Sequence, residues 1–221
     1  MTFPDTYTLL KADNLTVGYR NGTHEKMVLS RLELSLGRGE LVSLLGANGT
    51  GKSTLLRTLA GRQRPLAGKV SIEGRDIEKC PSDMLSRLVS IVHTDRTMAG
   101  GLTVEELVSL GRHPHTGFFG RLSASDREIV GHSLREVGIG DMGNRFVATL
   151  SDGERQKAMI ARALAQDTPV IILDEPTAFL DVASRIEAMQ LLARLAHDNG
   201  KGILLSSHDV SQSLLLSDRL W

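Results

Sequence analysis

Gly46-Ala47-Asn48-Gly49-Thr50-Gly51-Lys52-Ser53 sets three glycines, a lysine and two hydroxyls within eight residues. That combination suits the cradling of a phosphate chain. The glycines let successive backbone N–H groups curl round an anion with no side chain in the way, and a helix beginning at Lys52 adds the positive end of its dipole. Lys52 is placed to reach β- and γ-phosphates, Ser53 to offer its hydroxyl to Mg²⁺, and Thr54 to close the nucleotide-binding run. Much later, Val170-Ile171-Ile172-Leu173-Asp174-Glu175 is an apolar strand ending in two acids. Asp174 suits Mg²⁺, largely through water, and Glu175 is placed to polarise an attacking water. Taken alone the acidic pair could simply end a strand before Pro176. Together with the phosphate loop it makes a second half of a hydrolytic site.

These groups need rigid supports. Residues 8–20 alternate apolar and polar (Leu10, Ala12, Leu15, Val17, Tyr19) and read as an edge strand; 27–36 repeat the pattern. Gly37 to Gly39 makes a turn. Leu41 to Leu45 is a short buried strand feeding the Gly-rich loop, and a helix runs from about Lys52 to Ala60. Further strands are expected over 69–73 and 88–92. Helical periodicity then dominates, over 103–112, 125–137 and 153–166, before strand and helix alternate again: strand 169–173, helix 182–199, strand 202–206, helix 209–216. Asn199-Gly200 is a helix stop. Such alternation implies a mostly parallel sheet covered on both faces, carrying a helical insert. The chain stops at Leu220-Trp221 where another apolar strand is expected to begin, which reads as a truncated end.

Bulk composition narrows the alternatives. The 221 residues suffice for one sizeable core, or a core with a small appended lobe, and a formal net charge of zero argues against a nucleic-acid partner. The single cysteine, Cys80, forms no internal disulfide and, before Pro81, reads as a connecting-loop residue; this fits a reducing cytosolic compartment. No stretch approaches the roughly 20 apolar residues that cross a bilayer, and the N-terminus lacks a signal-peptide pattern, so membrane association must come through a partner.

Leu150-Ser151-Asp152-Gly153-Glu154-Arg155-Gln156, lying between the phosphate loop and the strand that ends in Asp174-Glu175, resembles the signature motif of the ATP-binding subunits of ABC transporters, with Asp152 and Glu154 as variants. Taken alone, Ser151-Asp152 is an ordinary helix cap. Asp174-Glu175-Pro176-Thr177 continues into a segment resembling that family's D-loop, with Asp181 facing across a dimer. Ser206-Ser207-His208-Asp209 resembles its H-loop, with His208 near the γ-phosphate, and Tyr19 matches the aromatic that stacks on adenine. The resemblance covers essentially the whole chain. It implies an α/β fold of the P-loop NTPase kind with an ABC-type core: a mostly parallel sheet with flanking helices, an antiparallel N-terminal β-subdomain, and an inserted helical subdomain. Residues 1–95 and 167–221 would form the core, and about 96–166 the helical part. It further implies ATP and Mg²⁺ as ligands and a homodimer in which Ser151, Asp152, Gly153 and Glu154 close over the partner's ATP. Lys52, Glu175 and His208 would be catalytic; Ser53 and Asp174 would serve the metal.

Gly111 to Arg121, followed by Asp126-Arg127-Glu128, looks like the helical lobe of the subfamily that imports ferric siderophores, haem and cobalamin. The partners implied are an integral-membrane permease, whose coupling helix would meet Phe118 and Phe119, and indirectly a periplasmic or lipoprotein substrate-binding protein. The location implied is the cytoplasmic face of a bacterial inner membrane. His113 and His115 lack the Cys or carboxylate company of a metal site. One departure stands out: the family's Q-loop glutamine is replaced by Thr94, with Asp95 beside it as an alternative oxygen donor. Three rivals are disfavoured. DNA-repair relatives carry long coiled coils and basic surfaces, translation factors carry two sets of motifs, and a purely regulatory nucleotide-binding module would show no turnover.

Overall fold

A computed structural model describes residues 7–22, 24–93, 101–117 and 120–221. The order is β1 (Thr8–Asn21), β2 (His24–Gly37), β3 (Leu41–Leu45), α1 (Lys52–Leu59), β4 (Ala67–Ile72), β5 (Arg75–Asp76), α2 (Ser82–Leu88) and β6 (Val89–His93). Next come α3 (Val104–Ser109), α4 (Ala124–Glu136) and α5 (Asp152–Ala165). The chain then alternates through β7 (Val170–Asp174), α6 (Val182–Asn199), β8 (Gly202–Ser207), α7 (Val210–Leu216) and β9 (Arg219–Leu220).

Two sheets result. The first is antiparallel, in the order β2-β1-β4-β5. The expectation of an edge strand over 8–20 is therefore corrected: β1 has β2 on one side and β4 on the other. Leu9, Leu10, Ala12, Leu15 and Val17 are all buried, and a strand so covered gains by pairing on both edges. Only beyond Thr16, the last partner of β4, does β1 run on with β2 alone. The second sheet is parallel, in the order β6-β7-β8-β3-β9.

Strand periodicity divides the interior into two cores on opposite faces of the parallel sheet. Val42, Leu44, Val170, Ile172 and Leu204 point one way, onto α1 and the antiparallel sheet. Leu41, Ile171, Leu173, Ile203 and Leu205 point the other way, onto α5 and α6. Val170 to Leu173 are at most 1% exposed, and each such side chain contributes roughly 1.5–3 kcal/mol of burial. The strand that delivers Asp174 is thus pinned from both sides.

Among the described residues, the three α-helices between β6 and β7 start alike. Thr103 with Glu106, Ser123 with Asp126, and Ser151 with Glu154 each form a reciprocal capping box. The helix read over 103–112 is shorter than expected. α3 ends at Ser109 and continues as a 3-10 turn over Leu110–His115 that contains Pro114. Gly111 in that turn packs so closely on α5 that a Cβ there would lie 2.3 Å from the Arg162 carbonyl oxygen. Beside it Arg112 is buried, donating Nε to Asp126 Oδ1 at 2.9 Å and Nη1 to the Ala165 carbonyl at 2.7 Å. One guanidinium therefore ties the 3-10 turn, the start of α4 and the end of α5. Among the described residues no helix is long and apolar enough to cross a membrane.

Candidate active site

β3 delivers the chain to the phosphate loop, and Gly51 turns it into α1 with φ 101°. Among the described residues no side chain caps this helix, so its first N–H groups are left for an anion. A Cβ at Gly51 would lie 2.3 Å from Val28 Cγ1, so the loop passes tightly beneath β2. Lys52 is buried and curls back into the loop. Its Nζ donates to the carbonyls of Gly46 at 2.7 Å and Ala47 at 3.2 Å, and stands 3.7 Å from Glu175 Oε1.

The carboxylates arrive from β7. Ser206, fully buried on the neighbouring strand β8, donates its hydroxyl to Asp174 Oδ1 at 2.7 Å and accepts the Glu175 N–H at 2.8 Å. Glu175 adopts φ 49°, a left-handed conformation costly for a side chain of this kind. That conformation turns the chain out of the strand while the Ser206 hydrogen bond holds the peptide. Asp174, Glu175 and Asn48 through Thr54 line one groove of about 800 Å³.

Tyr19 lines the same groove and is about half exposed; its hydroxyl hydrogen-bonds Thr54 Oγ1 at 2.8 Å. Lys26, Met27 and Val28 of β2 complete the wall, and sequence reasoning missed them. The signal was the hairpin register: Lys26 pairs directly with Tyr19, and Met27 with Gly18, so the wall opposite Tyr19 follows once the pairing is known.

Other expected residues lie elsewhere. Ser151, Gly153 and Glu154 line a separate small cleft with Ser184 and Glu187, and none of them lines the large groove. Asp181 caps α6, accepting from the Ser184 N–H at 3.0 Å and the Ser184 hydroxyl at 2.7 Å. These hydrogen bonds hold its carboxyl below the usual range. His208 follows β8, is exposed, and is not among the groove's lining residues. Gly46 and Ala47 enter through their carbonyls on Lys52. Thr94, Asp95, Phe118 and Phe119 lie outside the described residues.

Comparisons with known proteins bear on the family and the fold. The family described as ABC transporter matches residues 29–178. An uncharacterized ABC transporter ATP-binding protein of Methanocaldococcus jannaschii, MJ0873, is 41% identical over 96% of this chain and 72% of its own length. The iron(3+)-hydroxamate import ATP-binding protein FhuC of Bacillus subtilis is 38% identical over 94% of this chain and 76% of its own length. Among solved structures, the dimeric bacterial ABC transporter cassette MJ0796 superimposes with a TM-score of 0.81 at 28% identity, covering 96% of this chain and 93% of that one.

Proposed function

We propose that this chain, which belongs to the ABC transporter family, is the ATP-hydrolysing subunit that powers import of an iron complex through a membrane permease. The observation that carries the proposal is the division of the site. Lys52, Ser53, Asp174 and Glu175 share one groove, whereas Ser151 and Gly153 line a different cleft of the same chain. A second copy related by a two-fold axis would bring the cleft of one subunit over the groove of the other.

The residues then take the following roles. ATP enters with its adenine against Tyr19 and its phosphates in the loop of Gly46 to Ser53. Lys52 exchanges the Gly46 and Ala47 carbonyls for phosphate oxygens and leaves Glu175 free. Glu175 accepts a proton from water as the water oxygen bonds the γ-phosphorus and the bond to the bridging oxygen of ADP breaks. Ser151 and the N–H groups of α5 in the partner copy hold the γ-phosphate oxygens, and His208 adds a contact there. Ser53 and Asp174 supply hard oxygen donors in one groove, a set that fits Mg²⁺. When bound, Mg²⁺ neutralises charge developing on the phosphates. Thr94 is the remaining candidate metal donor.

Hydrolysis separates the two copies, and the helical part, about residues 96–166, passes the motion to the permease. The subunit works on the cytoplasmic face of the membrane, and a substrate-binding protein outside supplies the cargo. Iron is favoured as cargo by the named role of the FhuC relative and by the helical-lobe resemblance of Gly111 to Glu128. The test is uptake of radiolabelled ferric siderophore, with cobalamin in parallel, in cells lacking this subunit. Iron uptake should fall and be restored by the intact gene but not by Lys52→Ala. Unchanged iron uptake would overturn the cargo, and a loss of cobalamin uptake instead would replace it.

A further inference from the structure

Ser151 carries a single hydroxyl proton, and in the structure that proton goes to a carboxylate. Ser151 Oγ donates to Glu154 Oε2 at 2.9 Å, the Ser151 N–H donates to the same oxygen at 2.8 Å, and the Glu154 N–H returns to Oγ at 3.3 Å. A γ-phosphate, like a carboxylate, only accepts hydrogen bonds. For Ser151 to serve a phosphate, its proton must leave Glu154. The incoming charge must also approach a carboxylate standing in the same first turn.

Arg145 addresses both difficulties. Its Nη1 lies 3.0 Å from Glu154 Oε1, and its Nη2 donates to the Thr149 carbonyl at 3.2 Å, anchoring the guanidinium to the turn before α5. It therefore holds the carboxylate oxygen that Ser151 does not use. The Ser151 N–H, then its hydroxyl, and finally Arg145 together keep Glu154 below the usual carboxylate range. Pairing with a guanidinium weakens Oε2 as a competitor for the Ser151 proton and cancels the charge facing the phosphate.

We propose that Arg145 is a positioning residue for ATP bound on the opposite subunit, acting through Glu154 to release the Ser151 hydroxyl to the γ-phosphate. The proposal rests on the assignment of Ser151 to the partner's nucleotide. Glutamine at position 154 would remove the charge, and its carbonyl oxygen would still accept from the Ser151 N–H while competing less strongly for the hydroxyl proton.

The experiment measures ATP-dependent pairing and hydrolysis of the purified full chain as a function of ATP concentration. Arg145→Ala should raise the half-saturating ATP concentration by about tenfold, the scale of one charge-assisted hydrogen bond, with turnover at saturation little changed. Adding Glu154→Gln to Arg145→Ala should bring the requirement back near the starting value, which a merely structural loss would not allow. Glu154→Gln alone should lower it, since Arg145 then faces the phosphate with no carboxylate beside it. A double variant as weak as Arg145→Ala, an Arg145→Ala chain that matches the parent, or a rise with Glu154→Gln alone would each overturn the role of Arg145. Ser151→Ala separates the premise: if pairing survives that change, the assignment of Ser151 itself is wrong.

Discussion

Lys52 Nζ stands 3.7 Å from Glu175 Oε1, so the cation expected to hold phosphate and the carboxylate expected to activate water face each other across the groove. Lys52 is almost fully buried while Glu175 is about one-third exposed. The lysine side chain is therefore enclosed by the loop, and the glutamate side chain is the one that solvent reaches. Glu175→Gln keeps the size and the approach to Lys52 but removes the base. Turnover should fall by about 10²–10⁴-fold with ATP binding retained, giving an ATP-bound dimer visible by size-exclusion chromatography. Hydrolysis at the parental rate would remove Glu175 from its role.

Ser206→Ala tests the bridge between β8 and the two acids. Both hydrogen bonds of the Ser206 hydroxyl would be lost in a fully buried position, costing about 1–3 kcal/mol. The Glu175 peptide, held at φ 49°, would relax toward ordinary geometry. A lower melting temperature together with a lower kcat is expected. A variant that melts lower yet keeps its full kcat would show that the bridge serves stability alone.

Gly51→Ala should abolish nucleotide binding. The position requires φ 101° and its Cβ would lie 2.3 Å from Val28. The strain, about 1–3 kcal/mol, would be relieved by moving the loop whose N–H groups hold phosphate. Titration with a fluorescent ATP analogue measures it. Undiminished affinity would mean that the loop geometry is not what binds.

Asp126→Asn should loosen the helices at low cost to the nucleotide groove. Asp126 accepts from the Ser123 hydroxyl and N–H and then from Arg112, which together lower its pKa to about 2. The folded value lies below the ordinary aspartate value of 3.8, so the stabilisation is present above about pH 4 and is lost as pH falls toward 2. Removing one partner of this buried pair should cost about 3 kcal/mol at neutral pH. The variant's stability should vary less with pH in that acid window than the parent's, as measured by denaturant unfolding. Parallel pH curves for the two proteins would contradict it.

The features written in short stretches of sequence were legible without a structure. Gly46 to Ser53 announces its turn and helix through residue types next to one another. Asp174 and Glu175 follow from an apolar run that ends in acids, and α6 has the bounds, 182–199, that its periodicity and the Asn199-Gly200 stop indicate. The helix cap at Ser151 is likewise local, spanning a single helical turn.

Tertiary structure decided whatever depends on distant partners. That β1 is flanked on both sides, that α3 gives way to a 3-10 turn where Gly111 meets α5, and that Ser206 joins Asp174 to Glu175 all follow from strand order and packing. So do the wall of Lys26, Met27 and Val28 beside Tyr19 and the separation of the Ser151 cleft from the Lys52 groove. Local chemistry is set by backbone freedom, caps and periodicity within a few residues. Sheet order and the meeting of side chains from different strands are set by how apolar faces bury one another, which no single segment encodes.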